Sequence, residues 1–322
     1  MEKVPGVGPK SAEKLKTNGI ETAEDLACAR PGDVAGALNI SMAKAKALIN
    51  SAKTLVSDTL VTLITAKELA QQRIQTVKYI KTGSTRLDEI LGGGVQTDAL
   101  TSFVGRYGTG KTQICHQLCV NTVLDHGEMA AYIETESHTF SHRRIIEMAK
   151  AKDPDVDPAR VLDNIYVVPA SEVTDPFRQF IAYERINTLL KEGKPIRLLC
   201  IDSFSARFRE FYQGREVSSE RSQETARHVG MLHNLASKHN MAVVLTIQVY
   251  GQPDPKTQAA TKSKMGIPYA AYGGEQLLHS STYWVTLDYA GGDIWEAFVM
   301  DAPDLPRKSA QFRLMPEGVR DT

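Results

Sequence analysis

From about residue 79 onward, short apolar runs alternate with longer amphipathic segments. The runs have the length of buried strands, and the segments between them repeat apolar positions every three or four residues, as one face of a helix does. The five clearest runs lie at residues 100–105, 129–134, 164–168, 197–202 and 241–248. Strands that alternate with helices are typical of a parallel sheet covered by helices. The pattern therefore predicts an α/β core over residues 79–322.

The first 52 residues have a different pattern, rich in alanine and lysine with helical spacing. They contain VPGVGPKSAEKL at residues 4–15, in which two valines flank a glycine turn before a helix that carries Lys10 and Lys14. This arrangement is typical of a helix-hairpin-helix element, whose glycines let backbone N–H groups approach a DNA phosphate. A tight turn in a small helical bundle is the alternative. We predict a small all-α helix-hairpin-helix DNA-binding domain at residues 1–52.

Residues 53–78 connect the two patterns. They carry the apolar run LVTLITA at 60–66 and then a charged stretch, which together predict a linker with a short strand and a helix. An exposed apolar strand is a liability unless another strand pairs with it. The linker therefore points to self-assembly.

The strongest chemical signal is GRYGTGKT at residues 105–112, which follows an apolar run and precedes a predicted helix at 112–124. This spelling, G-x-x-x-x-G-K-[ST], is the Walker A phosphate loop. Its glycines expose N–H donors, Lys111 holds the β- and γ-phosphates, and Thr112 offers a hydroxyl to Mg²⁺. The predicted nucleotide site comprises Gly105, Arg106, Tyr107, Gly108, Thr109, Gly110, Lys111 and Thr112.

Three other predicted strands end in polar residues that suit triphosphate hydrolysis. Asp202 follows LLCI in the form of a Walker B strand and is placed to reach the metal held by Thr112, with a turn cap as the alternative. Glu134 and Glu136 both follow the run AAYI, and Glu136 is favoured to prepare the attacking water because it lies further beyond the strand. Gln248 ends a fourth strand, where its amide can sense the γ-phosphate.

Two segments beside these strand ends carry basic residues. Residues 204–221 interleave arginines with aromatic residues, which suits a path along single-stranded DNA, although salt-bridged arginines would give the same composition. Residues 249–272 form a predicted loop that is unusually long for a compact domain without a function. The predicted DNA-binding residues in the two segments are Arg209, Arg215, Arg221, Lys256, Lys262 and Lys264.

Composition changes this picture little. Lysine plus arginine equal aspartate plus glutamate at 38 each in 322 residues, so charged partners must meet local patches. The four cysteines are scattered, as expected of reduced thiols, and the amino terminus lacks the apolar segment of a secretory leader. No apolar run approaches the length of a membrane span. We expect a soluble intracellular protein, cytoplasmic in a prokaryotic or archaeal cell, with no membrane partner.

The order of these motifs resembles that of the archaeal RadA recombinases, which are related to bacterial RecA and the eukaryotic strand-exchange proteins. The resemblance covers nearly the whole chain and also rests on KTGSTRLD at 81–88, LGGG at 91–94, GKTQ at 110–113 and DAPDLP at 301–306. It implies a RecA-like P-loop core with a parallel-rich central sheet. It also implies a filament or ring with ATP bound between neighbouring copies.

The resemblance assigns further residues to the nucleotide. Gln113 joins the phosphate loop, Arg144 would stack on adenine, and His279 would help to sense the triphosphate. Asp301 and Pro303 would cap a neighbour's nucleotide. The glutamate that prepares the water in this family matches Glu136, and the arginines at 209, 215 and 221 match its DNA-facing arginines.

The chain also departs from the family's pattern. The self-assembly motif, usually aromatic-x-x-Ala, reads Leu63-x-x-Ala66, and leucine in place of a phenyl ring gives up about 1 kcal/mol of apolar burial. Arg106 stands where an acidic residue is usual, and Ile247 replaces an asparagine beside Gln248. A late hairpin at 284–296, usually basic, is acidic here.

We expect a DNA-dependent ATPase that forms helical filaments on single-stranded DNA and catalyses homologous pairing and strand exchange in recombinational repair of DNA damage. Expected ligands and partners are ATP, Mg²⁺, single- and double-stranded DNA and further copies of the chain, at the nucleoid; K⁺ and recombination mediator proteins are further candidates. The alternative is a regulatory paralogue that binds ATP and a main recombinase, with little strand exchange of its own. A hexameric helicase is disfavoured because the amino-terminal domain has no place in it.

Overall fold

The structure is a computed structural model that describes residues 1–60, 63–172, 174–214, 216–251, 256 and 269–322. The chain divides into two compact units, Met1–Gln75 and Thr76–Thr322. None of the helices in the described part of the chain combines the length and apolar composition of a membrane span.

All the regular secondary structure among the described residues of the first unit is helical. Its small core includes Val4, Leu15, Leu26 and Ile49, all buried. The helices are α1 (Pro9–Thr17), α2 (Ala23–Cys28), α3 (Pro31–Leu38), α4 (Met42–Leu60) and α5 (Ala66–Thr76), which continues to the first residue of the second unit.

The turn before α1 has the geometry that its sequence predicts. Val4 and Val7 are buried on either side of Gly6, which has a φ of +90°. A Cβ at Gly6 would lie 2.8 Å from Leu48 Cδ2, the movable end of a side chain, so it is the positive φ that favours glycine here. Helix α1 begins directly after Gly8, with Pro9 in its first turn.

The predicted linker is helical at both ends. Helix α4 runs to Leu60 and buries Val56 in the first unit's core. Residues 61 and 62 lie outside the described part, and residues 63–65 form no strand, contrary to our prediction. A single strand gains its hydrogen bonds only from a neighbouring strand, and within one chain this segment has none among the described strands. Thr65 instead caps α5 through reciprocal hydrogen bonds with Glu68.

The second unit is built around a mixed, parallel-rich sheet, which confirms the predicted α/β class. Among the described residues its order is β12-β11-β10-β9-β3-β7-β6-β4-β5, with β8 paired to β7, and β1 and β2 form a separate ribbon. Strands β9, β3, β7, β6, β4 and β5 are parallel, and β10, β11 and β12 continue the sheet in antiparallel fashion. The strands are β1 (Tyr79–Ile80), β2 (Val95–Gln96), β3 (Ala99–Gly105), β4 (Met129–Glu134), β5 (Ile165–Pro169), β6 (Ile196–Asp202), β7 (Ala242–Gly251), β8 (Tyr269–Ala271), β9 (Tyr283–Gly291), β10 (Ile294–Asp301), β11 (Ser309–Met315) and β12 (Gly318–Asp321).

Helices cover both faces of this sheet. One apolar cluster packs the first four helices of the unit against the sheet, and a second cluster packs the last four against the other face. Two layers of helices around one sheet leave the carboxyl ends of the parallel strands free to carry a site. The helices are α6 (Thr85–Ile90), α7 (Lys111–His126), α8 (His142–Lys152), α9 (Pro158–Asp163), α10 (Phe177–Lys191), α11 (Phe204–Phe211), α12 (Ser218–His239) and α13 (Gly274–His279).

The two predicted DNA segments contain regular secondary structure among their described residues. Residues 204–211 form α11, because Phe204 and Phe208 lie one helical turn apart and are buried in the core. The long segment after Gln248 begins and ends in structure, since β7 continues to Gly251 and pairs with β8. Both predicted DNA segments therefore begin on elements anchored in the core.

Candidate nucleotide site and neighbouring basic residues

The phosphate loop joins the end of β3 to the start of α7, as its sequence predicts. Gly108 and Gly110 have φ angles of +80° and +91°, a region that side chains rarely adopt. A Cβ at Gly105 would lie 2.6 Å from the carbonyl oxygen of Leu287. The motif's glycines are therefore required by backbone conformation and by the contact with β9.

Lys111 is buried within the loop. Its Nζ donates to the carbonyl oxygens of Gly105 at 2.8 Å and Arg106 at 2.7 Å. Burial lowers the pKa of the Lys111 amine to about 8, while Asp202 and Glu136 act in the opposite direction. The amine is therefore largely protonated at pH 7 and lies where the oxygens of a bound triphosphate would meet the loop.

Asp202 lies at the end of β6, beside the loop. Its Oδ2 accepts from Thr112 Oγ1 at 2.7 Å and from the Tyr132 hydroxyl at 2.5 Å, and its Oδ1 accepts from Thr246 Oγ1 at 2.5 Å. The carboxylate and the Thr112 hydroxyl are the hard oxygen ligands that Mg²⁺ prefers, so these two residues fit the predicted metal site.

Tyr132 and Thr246 are absent from our sequence predictions, yet both orient Asp202. Their signal is strand register, because Glu134 pairs with Asp202 and Tyr132 lies two residues earlier on the same face of β4. Thr246 follows Leu245, the partner of Ile201. The order of strands in the sheet would have been needed to find them.

The two candidate carboxylates have different surroundings. Glu134 Oε1 accepts from the backbone N–H of Phe140 at 2.9 Å and so fixes the turn after β4. Glu136 Oε1 instead accepts from Gln248 Nε2 at 2.7 Å. Burial, and then the nearby Asp202 charge, raise the pKa of Glu136. A carboxylate whose proton affinity is raised is a better proton acceptor, which favours Glu136 as the residue that prepares water.

Gln248 also connects this carboxylate to the first basic segment. Its side-chain oxygen accepts a hydrogen bond from Arg209 Nη1, on α11. The Arg209 guanidinium also lies 5.2 Å from the centre of the Tyr272 ring, just beyond β8. Glu136, Gln248 and Arg209 thus form a hydrogen-bonded chain from the candidate nucleotide site to the first predicted DNA segment, and the Arg209–Tyr272 ring contact reaches the second.

Arg144 lies at the other end of the loop, where α8 begins. Its Nε donates to Gln113 Oε1 at 2.7 Å, and its two terminal nitrogens donate to the carbonyl oxygens of Met315 and Pro316. The guanidinium is therefore held rigidly beside the first turn of α7. This position is compatible with the predicted contact to a base.

Arg106 and Tyr107 occupy two of the four variable positions of the motif and have different surroundings. Tyr107 is 97% exposed. The guanidinium of Arg106 points instead to β9 and β8, since Nη2 donates to Asp288 Oδ1 at 3.0 Å and the group lies 4.8 Å from the centre of the Tyr269 ring.

The other residues predicted to contact the nucleotide do not lie beside the phosphate loop. His279, Asp301 and Pro303 are exposed, and His279 Nδ1 lies 3.9 Å from Asp301 Oδ2. Asp301 pairs with Trp284 on β9, three residues before Leu287, which pairs with Gly105. At the usual rise per residue, Asp301 is roughly 10 Å from the loop along the strand, towards the opposite end of the sheet.

Among the predicted DNA-binding residues, Arg221 lines a cavity of about 460 Å³ together with Tyr250 and Tyr272. Lys256 is exposed. Three of the predicted residues, Arg215, Lys262 and Lys264, lie outside the described residues.

The predicted assembly motif is open to solvent. Leu63 is 92% exposed, Ile64 beside it is 43% exposed, and Ala66 begins α5, which has no buried residue. Leu63 and Ile64 thus leave apolar area accessible to a partner surface.

Comparisons with known proteins agree with this geometry. Residues 72–322 match the Rad51 family model, and residues 1–54 match the SAM-like helix-hairpin-helix tandem model. The "DNA repair and recombination protein RadA" of Ignicoccus hospitalis is 37% identical over 100% of this chain and 95% of its own length. The protein of the same name from Aeropyrum pernix is 36% identical over 99% of this chain and 95% of its own length. The chain therefore belongs to the Rad51 family.

Proposed function

We propose that this protein is a DNA-dependent ATPase that assembles on single-stranded DNA and carries out homologous pairing and strand exchange. Nucleotide binding follows from membership of the Rad51 family, and its relatives are named for DNA repair and recombination. The observation that carries the proposal is the chain Glu136–Gln248–Arg209, because it joins the hydrolytic carboxylate to a basic DNA segment. Similarity over nearly the full length favours a recombinase over a regulatory paralogue.

The loop and its neighbours supply the binding of ATP. Lys111 would transfer its hydrogen bonds from the loop carbonyls to phosphate oxygens, and Gln113 and Arg144 would border the nucleoside. Thr112 and Asp202 would hold Mg²⁺, which neutralises charge on the phosphates when bound. Tyr132 and Thr246 keep the Asp202 carboxylate oriented.

Hydrolysis requires a carboxylate beside the γ-phosphate. Glu136 would orient the attacking water and accept its proton, and its raised pKa suits this role. Gln248 would exchange its hydrogen bond between Glu136 and the γ-phosphate as the nucleotide state changes. In step with that exchange, Arg209 would move between two partners, a DNA phosphate and the Gln248 side chain.

Self-assembly is supported by two different apolar features of the chain. Leu63 and Ile64 are exposed, and β5 is an edge strand of the sheet whose Val167 is also exposed. A contact between two different surfaces of identical chains is head-to-tail and builds rings or open helices. We place the 63–66 motif of one copy on the β5 edge of the next.

The same arrangement gives His279, Asp301 and Pro303 a role in a neighbour's site. Asp301 lies along β10 away from its own loop, with His279 beside it and Pro303 two residues further on, so these residues would serve a nucleotide only across an interface. Closing a nucleotide between two copies would make assembly depend on ATP and disassembly depend on hydrolysis. The energy of ATP hydrolysis would then serve to disassemble the filament.

The proposal also assigns roles to the amino-terminal domain, to the linker and to the remaining basic residues. Residues 1–52 would bind DNA through the glycine turn and Lys10 and Lys14, which are exposed, and residues 53–78 would link that domain to the ATPase core at 79–322. Arg215, Arg221, Lys256, Lys262 and Lys264 would track the DNA backbone beside Arg209. Recombination mediator proteins are candidate partners, and the cell's cytoplasm, at the nucleoid, is the proposed location.

Electron microscopy of the purified protein tests the proposal. With single-stranded DNA, Mg²⁺ and a non-hydrolysable ATP analogue, we expect regular filaments, and with ATP we expect transfer of a labelled strand to a homologous duplex. Parallel reactions in Na⁺ and K⁺ test whether K⁺ contributes. If filaments form only after a second recombinase is added, the protein is a regulatory paralogue and the proposal fails.

A further inference from the structure

The hairpin formed by β9 and β10 contacts the phosphate loop through two side chains. Asp288 Oδ1 accepts from Arg106 Nη2 at 3.0 Å, and Trp295 Nε1 donates to the carbonyl oxygen of Gly108 at 3.0 Å. The ion pair holds Arg106, the second residue of the loop, by its side chain. The hydrogen bond holds Gly108, the fourth residue, by its backbone. Both contacts come from outside the strand-loop-helix unit that defines the motif.

Contacts within the hairpin support Asp288 and Trp295. Asp288 and Trp295 lie on neighbouring strands, and the Trp295 ring meets the Tyr289 ring edge to face at 5.8 Å. The Tyr289 hydroxyl donates to the Gly292 carbonyl oxygen at 2.6 Å, which ties the tip of the hairpin to its own strand. A rigid support is what allows a contact to define the position of a loop.

A third contact joins Arg106 to β8, the strand near the end of the second basic segment. The Arg106 guanidinium lies over the Tyr269 ring on β8, and Tyr269 pairs with Gly251 at the end of β7. Arg106 is thus held between an acidic and an aromatic side chain. Its carbonyl oxygen also accepts from Lys111 Nζ, so the position of Arg106 affects the amine that meets the phosphates.

We propose that the β9–β10 hairpin positions the phosphate loop for nucleotide binding through the Asp288–Arg106 ion pair and the Trp295–Gly108 hydrogen bond. Asp288, Arg106 and Trp295 are positioning residues in this proposal, because they act through the loop backbone and Lys111. A loop held in its binding conformation loses less conformational entropy when a triphosphate binds. The inference rests on the proposed nucleotide site and deepens it.

The expected effect is modest for each contact. The ion pair is partly exposed, with 45% and 27% of the two side chains accessible, and such pairs contribute little individually. Removal of either interaction should weaken nucleotide binding about three- to fivefold, and removal of both about tenfold or more.

Equilibrium binding of a fluorescent ATP analogue with Mg²⁺, in the absence of DNA, tests the proposal in the full-length protein. Asp288→Asn removes the charge of the ion pair, and Trp295→Phe removes the indole N–H while keeping an aromatic ring. Asp293→Asn is the matched control, since Asp293 is exposed at the turn of the same hairpin and the substitution changes the same charge. Weaker binding by both test variants with wild-type affinity in the control supports the proposal.

Two further measurements keep the outcome decisive. If Asp288→Asn lowers the unfolding temperature, Arg106→Gln breaks the same pair from the loop side and is assayed in its place. Wild-type affinity in Trp295→Phe and in the ion-pair variant would overturn the positioning role. If the wild-type protein itself binds no nucleotide, the proposed function fails, and this result is distinct from equal affinity in all variants.

Discussion

Gln248 Nε2, on β7, donates a hydrogen bond at 2.7 Å to Oε1 of Glu136, which lies two residues beyond β4. The two residues come from segments more than 100 positions apart, and the same amide accepts from Arg209 through its oxygen. The Gln248 amide can pass a change at Glu136 on to Arg209, or the reverse, only if its two hydrogen bonds fix its orientation. This contact is the physical basis of the predictions for Glu136 and Arg209.

Glu136→Gln should abolish ATP turnover while nucleotide binding and filament formation persist. Glutamine keeps the size and a hydrogen-bonding oxygen but cannot accept a proton from water. Loss of general-base catalysis alone is expected to slow hydrolysis about 100-fold or more. Phosphate release measured in the presence of single-stranded DNA, with filaments counted by electron microscopy, checks both parts.

Glu134→Gln is the matched control for that experiment. Glu134 accepts from the backbone N–H of Phe140, and glutamine preserves an oxygen acceptor for it. Turnover should remain appreciable, with a loss of stability of about 1 kcal/mol from the weaker hydrogen bond. Equal loss of turnover in the two variants would mean that Glu136 does not have a distinct hydrolytic role.

Arg209→Ala should reduce the stimulation of ATP turnover by single-stranded DNA. The substitution removes both the hydrogen bond to Gln248 and the contact with the Tyr272 ring. Coupling between sites is typically worth about 5- to 150-fold, so we expect the ratio of stimulated to unstimulated rates to fall about tenfold. Arg178→Ala, which removes an exposed ion pair with Glu172, should keep the wild-type ratio. An undiminished ratio in Arg209→Ala would contradict the coupling.

The sequence was sufficient to predict which strand ends meet at the site. Parallel strands present their carboxyl ends at one edge, so residues just after apolar runs are expected to converge there. The structure brings together Lys111, Thr112, Asp202, Glu136 and Gln248 at that edge. The α/β class and the family resemblance are likewise confirmed.

Contacts that depend on strand order could not be read from the chain. Strand β9 lies directly beside β3, although some 180 residues separate them, and this adjacency puts Asp288 near Arg106. Similarly, residues 204–211 of the first basic segment carry two arginines and three phenylalanines, a composition that suits a DNA-facing segment as well as a packed one. The burial of Phe204 and Phe208 turns it into a helix, and only tertiary packing decides that outcome.

Leu63→Phe should strengthen self-assembly. A larger ring buries more apolar area in the partner surface, which corresponds to about 1 kcal/mol and about a fivefold lower dissociation constant if the pocket accommodates it. Leu63 is 92% exposed in the single chain, so the substitution should leave the unfolding temperature nearly unchanged. Sedimentation velocity over a range of concentrations with Mg²⁺ and an ATP analogue measures the shift. Leu63→Asp should instead abolish assembly, and unchanged assembly in both variants would contradict the role of the motif.

Arg221→Ala should weaken DNA binding about equally for different sequences. The residue lines a cavity with Tyr250 and Tyr272, and an arginine contact to a phosphate carries no sequence information. The slope of log affinity against log salt concentration should become shallower by about 0.7 for each phosphate of a single strand that the variant no longer neutralises. Fluorescence anisotropy with oligonucleotides of several sequences provides the measurement. Weaker binding confined to one sequence would indicate base recognition.

Acid should destabilise the fold through buried histidines. His228 lies among the rings of Phe180, Phe208 and Tyr183, and burial, assisted by the neighbouring Arg227, lowers its pKa from 6.5 to about 3. The folded protein therefore binds fewer protons than the unfolded chain between these two values, so stability falls as the pH drops below about 6.5. At pH 5 this one imidazole should cost about 2 kcal/mol relative to pH 7.5.

The matching substitution is His228→Phe, which retains an aromatic ring in the cluster and removes the titrating group. Urea unfolding at pH 7.5 and pH 5 should show a smaller loss of stability for this variant than for the wild type. A part of the loss should persist, because burial also lowers the pKa of His116, to about 4. His142→Gln, a change at an exposed histidine, should retain the wild-type pH dependence. If His228→Phe also retains it, the buried imidazole is not the source of the acid sensitivity.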